Sequence, residues 1–464
     1  MRLKILALFC LSLLLAACAP TLSGADLIST SVAATLQASG QPVPTAAPTL
    51  GEVATQAPTE PACSNAGMLN VAYVKDGNVW LWTQGGIRTQ LTALGDVQDL
   101  ALSQDGCRVA YTRGVPNPRY DAAAEFPAPE TMNELWVVSS DGSNNRALAD
   151  SAYFAAIPVA NASDMVSAYR FEFQPGTRIL AFSTQLLHPG VGLTLRNDLT
   201  LVNADSGLIQ PLLGENQAGG LFAFSPDGQQ LALSTPTNVH IINVDGSDLR
   251  RNLITYPSVI TYSEYLYSPP VAWAQEGSSL MVAVPPADAL AGGMPETSLW
   301  WIPLDGTPAF EAGSIQAAFF IFGEVAFSPD ASRSAYLRPL GEAGGPDNEL
   351  VVALSDGSNE SPAVRAEQIR FLAWSPDNST YLYTYQDGTA RLAMANATDG
   401  STSLISLPAG FVAFAVQAEW VDANHFLILE QGGGGARLSL LDVSSGSEVI
   451  DTFAVPFVSF MASD

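Results

Sequence analysis

The sequence predicts an all-β chain folded as a single β-propeller of four-stranded blades, eight by the fullest count and seven as the alternative. Three observations predict it: a turn phrase that recurs along the chain, strands of period-two alternation around each copy, and two chain ends that complete one another. The phrase reads Phe-Ser-Pro-Asp-Gly at Phe224–Gly228, Phe-Ser-Pro-Asp at Phe327–Asp330 and Trp-Ser-Pro-Asp at Trp374–Asp377. Weaker copies stand at Leu102–Gly106, Phe173–Gly176 and Trp273–Gly277. Proline presets the first corner, aspartate bonds amides two residues on, and glycine accepts positive φ, so each copy is a hairpin turn. Regular spacing of such turns marks a radial or stacked repeat architecture.

The chain begins with basic Arg2 and Lys4, then an apolar run from Ile5 to Leu15. That is a secretory signal, too short to remain as a membrane span. It ends in Leu15-Ala16-Ala17-Cys18, which resembles the bacterial lipobox. The resemblance implies a signal peptide over 1–17 and a mature chain beginning at lipidated Cys18. Two or three acyl chains would suffice for stable anchoring, with the rest of the protein outside the cytoplasmic membrane or on an outer membrane. Residues 18–66 are rich in Ala, Thr and Pro and poor in large apolar groups, the composition of a tether. The propeller is expected over 67–464.

Formal charge is -26 for the full chain. An exported surface this acidic argues against nucleic acid and anionic lipid as partners, and solubility explains it without a cationic ligand. Cys10 leaves with the signal. Cys63 and Cys107 remain in a compartment that permits disulfides, and both a bond between them and two free thiols are open.

Within the propeller, a four-strand cycle repeats: inner strand, Ser-Pro-Asp-Gly turn, second strand, third strand, Asp-Gly turn, outer strand. Third strands with their turns are Glu134–Gly142, Asp198–Gly207, Asn238–Gly246, Ser298–Gly306, Glu349–Gly357 and Arg437–Gly446. Seven inner strands fall near Val97, Tyr169, Leu221, Val271, Glu324, Phe371 and Gln417. Residues 69–91 hold three strands with no inner strand ahead of them, and Pro456–Asp464 holds an inner strand with nothing after it. Together they make a blade that closes the ring and removes exposed sheet edges. The repeats resemble the WD-like propeller family found in TolB and in the propeller domains of prolyl-oligopeptidase-type enzymes. TolB itself is six-bladed with an N-terminal α/β domain that this chain has no room for, so the resemblance implies fold and not role.

Signs of chemistry are sparse. The sequence holds no Gly-x-Ser-x-Gly elbow and no phosphate loop, and its three histidines, His188, His240 and His425, lack metal-ligand spacing. No cofactor or metal is expected. Asp245-Gly-Ser-Asp248 and Asp356-Gly-Ser-Asn359 have calcium-like oxygens but recur at hairpins, and read as turns. Loop length says more. Connections after the second strand and between blades share one face, and several are long: Arg113–Asn133, Asp150–Ala168, Thr184–Asn197 and Ile254–Pro270 among them. Candidate binding residues there are Arg119, Tyr120, Phe126, Tyr153, Phe154, His188, Tyr256, Tyr262, Tyr265 and Tyr267. Aromatic groups with a polar end suit protein or glycan recognition; they serve equally well as caps on the propeller core. The favoured reading is a non-enzymatic binding or scaffold module. A hydrolase or lyase using channel carboxylates and an accessory solute-binding lipoprotein are the alternatives.

Overall fold

The computed structural model describes residues 63–64, 66–190, 194–261, 266–274, 276–289, 296–317, 325–341, 347–406, 414–432, 435–444, 446–455 and 458–463. The expected signal segment, Cys18 and the expected tether before residue 63 lie outside the described residues. Among the described residues no helix is long and apolar enough to cross a membrane.

Eight antiparallel blades follow in chain order. Blade 1 holds Asn70–Lys75, Asn78–Thr83 and Ile87–Gln90, with Phe460–Ala462 as its inner strand. Blade 2 runs Val97–Leu102, Arg108–Pro116, Thr131–Ser139 and Arg146–Ala149. Blade 3 runs Met165–Phe173, Ile179–Leu187, Leu199–Asn203 and Ile209–Leu213, with Thr194–Leu195 paired onto its second strand. Blade 4 is Leu221–Phe224, Gln230–Ser234, Asn238–Asn243 and Arg250–Thr255, and blade 5 is Val271–Trp273, Ser279–Val284, Glu296–Pro303 and Phe310–Gln316. Blade 6 is Ala326–Phe327, Arg333–Pro339, Asn348–Leu354 and the first part of Ser361–Trp374. The second part of that strand opens blade 7, followed by Thr380–Asp387, Thr389–Asn396 and Thr402–Leu404. Blade 8 is Phe414–Trp420, His425–Gly432, Gly435–Asp442 and Gly446–Phe453. The outer strand of blade 6 and the inner strand of blade 7, expected as separate elements, are thus one continuous strand.

Both faces of each blade are covered, so one strand serves two interfaces. In Gln230–Ser234, Leu231 and Leu233 pack toward blade 3, whereas Ala232 packs toward blade 5. That explains the nearly unbroken apolar runs of the second strands. An apolar cluster fills each of the eight interfaces around the ring.

The turn phrase has a defined chemistry. Ser225 Oγ donates to Asp227 Oδ1 at 2.6 Å and accepts from Gln230 N at 2.9 Å, while Asp227 also accepts from Gln229 N at 3.0 Å. The same set recurs at Ser103/Asp105, Ser328/Asp330 and Ser375/Asp377. These bonds hold all four carboxyls below the usual range; at Asp105 and Asp330 burial opposes the shift without reversing it. In blade 7 the glycine position is Asn378, at φ 61, whose Oδ1 accepts from Asp330 N of the neighbouring turn at 3.0 Å. The Asp-Gly pairs are likewise turns: Asp245 and Asp356 each accept the amide of the serine two residues on.

The C-terminal strand closes the ring. Val71, Ala72 and Tyr73 pair with Ala462, Met461 and Phe460. Tyr73 Oη and Lys75 Nζ both reach Asp451 of blade 8, at 2.9 and 2.6 Å. Cys63 and Cys107 form a disulfide with Cα atoms 5.5 Å apart, tying the chain ahead of the first strand to blade 2.

Candidate binding face and central channel

The long connections of blades 2 and 3 are braced from several sides. The hairpin of blade 2 stays paired as far as Pro116 and Thr131. Beyond it, Asn117 N donates to Glu130 O at 2.8 Å and Asn117 Nδ2 to Pro129 O at 2.9 Å, so the base of loop 117–130 is closed. Arg119 turns inward and donates to Asp164 O and to Ala155 O. Gly190 N, from the next long connection, donates to Phe126 O at 3.1 Å. A one-turn helix, Ser151–Ala155, follows blade 2. Asp150 caps it by accepting from Tyr153 N, and Glu134 Oε1 accepts from Ser151 N at 2.7 Å.

The candidate residues separate into surface and core. Phe126 is 61% exposed and Tyr120 38%. Arg119 is a brace rather than a free cation. Phe154 is fully buried between blades 2 and 3, and half-buried Tyr153 meets it edge-on at 5.3 Å. Tyr256 is buried between blades 4 and 5, its hydroxyl donating to Thr235 O at 2.8 Å. Phe154 and Tyr256 therefore belong to the core, for the next blade covers rings that loop position alone would leave exposed. His188 is half-buried, its ring nitrogens 3.0 Å from Pro189 O and 3.1 Å from Thr194 Oγ1. Tyr267 is half-buried. Tyr262 and Tyr265 lie outside the described residues.

The channel wall is uneven. Blades 4 and 5 have the apolar inner strands Leu221–Phe224 and Val271–Trp273, while blades 8, 2 and 3 carry Glu419, Asp99 and the pair Arg170 and Glu172 on theirs, and Ser459 directly precedes that of blade 1. Bulges interrupt the register of the inner strands of blades 2, 3, 7 and 8. Ser459 Oγ donates to Asp99 Oδ1 at 2.6 Å, joining positions 360 residues apart. Glu172 keeps 38% of its side-chain surface open to water. Crowding pushes its carboxyl up, and Arg170 at 3.4 Å pulls it partly back. Sequence reasoning names no individual channel residue; the polar pairs in otherwise apolar inner strands are the signal that could find them. Among the described residues, no three His, Cys, Asp or Glu side chains are arranged to hold a metal ion.

The fold and these two surfaces define a closed eight-bladed propeller. No protein-family model matches the chain, and no curated protein matches it. Among solved structures it is similar to TolB from Acinetobacter baumannii, at 10% identity and TM-score 0.34, covering 74% of this chain and 64% of that one. It is also similar to the β-propeller domain of the Trilobed protease from Pyrococcus furiosus, at 11% identity and TM-score 0.46, covering 78% and 99%. An oligogalacturonate lyase from Vibrio parahaemolyticus gives 12% identity and TM-score 0.44, covering 69% and 84%. The chain thus spans 64% of the length of that TolB, and the likeness throughout is one of fold alone.

Proposed function

We propose that this protein is a membrane-anchored, extracytoplasmic propeller lipoprotein that acts as a binding or scaffold module for a protein or extracellular polymer, through its long-loop face. The observation that carries the reading is loop 117–130, pinned at its base, by Arg119 and by Gly190, yet presenting Tyr120 and Phe126 to solvent. A braced loop has already met the ordering cost that a flexible one meets on binding. Affinity capture with the mature chain carrying Cys18→Ser tests it, alongside the same chain with Tyr120→Ala and Phe126→Ala. A partner lost by the second protein supports this surface, and one retained equally by both places binding elsewhere. Anchoring has its own test: Cys18→Ser should move the protein from membrane to soluble fractions, and unchanged partitioning would refute the lipid anchor.

A second reading, a hydrolase or lyase, draws on the raised carboxyl of Glu172 beside Arg170. A general acid needs a carboxyl shifted this way, though ion pairs in structural roles shift too. Turnover of a glycan or peptide library, abolished by Glu172→Gln, would favour it over the binding module.

A further inference from the structure

We propose that the partner received at loop 117–130 is a cationic polypeptide. This rests on the reading of the long-loop face as the binding surface and adds the chemistry of what it takes. Asp121, Glu125 and Glu130 are exposed on the same short loop as Phe126 and Tyr120. Among the described residues none of these three carboxylates is in an ion pair; Asp121 accepts only a local amide, from Ala123 at 2.9 Å. The arginine of the loop and those of the strand before it and of the connection in blade 3 are already committed. Arg119 is turned in to carbonyls, Arg113 grips Asp96 at 2.6 Å, and Arg196 reaches Glu215 at 3.2 Å and Asp198 at 3.6 Å. What the loop offers outward is two exposed aromatic side chains and three carboxylates outside any ion pair.

Exposed carboxylates alone are ordinary solvated charge. Here they share, with two exposed aromatic side chains, a loop whose backbone is braced at its base and at Phe126, and the combination selects a ligand class. An arginine or lysine side chain can lie over the Phe126 ring while its head group bonds a neighbouring carboxylate. Apolar neighbours on the same polypeptide would cover Tyr120. An anionic polymer or lipid surface would meet repulsion from this loop and from a chain of net charge -26.

The test titrates three probes against the mature chain carrying Cys18→Ser: a short peptide of Arg, Lys and Leu, the same peptide with Glu at every basic position, and polygalacturonate. Only the basic peptide should bind, and more weakly as salt rises. Asp121→Asn, Glu125→Gln and Glu130→Gln together with Phe126→Ala should weaken it by roughly tenfold or more. Glu276→Gln, Glu311→Gln and Glu448→Gln, equal in charge removed but remote from the loop, should change it little. Equal weakening by both sets would reduce the effect to net charge and overturn the proposal, as would binding of polygalacturonate. The native partner separates this failure from that of the face itself. A partner lost on Tyr120→Ala and Phe126→Ala but indifferent to the three carboxylate changes keeps the binding face and overturns the cationic ligand. A partner indifferent to all of them overturns both. Melting curves of each variant establish that the propeller is intact.

Discussion

His240 shows how a single side chain is set by the ring around it. It lies in the third strand of blade 4 at 4% exposure, and its Nδ1 accepts from Asn252 N at 2.9 Å, which requires the neutral imidazole. Burial, with Arg251 adding to it, holds its pKa down to about 4 from 6.5. The unfolded chain therefore takes up this proton first as pH falls. The stability it contributes is complete above about pH 6.5 and is lost on the way down to about 4, a loss of about 3 kcal/mol. Denaturant titrations at stepped pH should show that slope. In His240→Leu the stability at pH 7 should drop, because the Asn252 amide loses its acceptor, and the slope between those pH values should vanish. A wild-type stability that stays flat over this range would contradict the neutral buried histidine.

Between blades, particular elements carry the register. Trp273 Nε1 donates to Ala223 O at 3.1 Å, and Trp374 Nε1 to Ala326 O at 3.0 Å, each reaching the inner strand of the preceding blade. Replacing either with Phe keeps most of the apolar contact but removes this bond, and should cost about 1 kcal/mol in chemical denaturation. Unchanged stability in both variants would mean that these bonds contribute nothing. The inner strands are legible in the sequence because the turn phrase marks where each ends. The continuity of Ser361–Trp374 is not, because it depends on a bulge at Gln368, at φ 50, a conformation that nothing in glutamine's chemistry announces. The helix Ser151–Ala155 is legible only in its cap, Asp150. The site is legible as a set of long connections on one face. Which rings remain on the surface is not, since Phe154 and Tyr256 are covered by residues from an adjacent blade, and local alternation carries no trace of that contact.

At the scale of the whole molecule the repeated turns act together. The carboxyls of Asp105, Asp227, Asp330 and Asp377 are all held below 3.8. Groups depressed in the folded state stabilise it above their unfolded value and lose that contribution as pH falls through the folded one. A second loss of stability should therefore begin below about pH 3.8, distinct from the histidine step. The Cys63–Cys107 bond closes a loop of sequence separation 44, and Cys63→Ser with Cys107→Ser should lower stability by about 2–4 kcal/mol. The central claim is that eight blades form one ring, closed by the last strand of the chain. Removing residues 458–464 takes away the inner strand of blade 1 and with it Val458, Phe460 and Ala462 from the interface with blade 8. Thermal unfolding of that truncated chain, followed by circular dichroism beside the full-length protein, tests the claim most directly. A closed ring predicts a markedly lower Tm for the propeller as a whole, and an unchanged Tm would contradict closure.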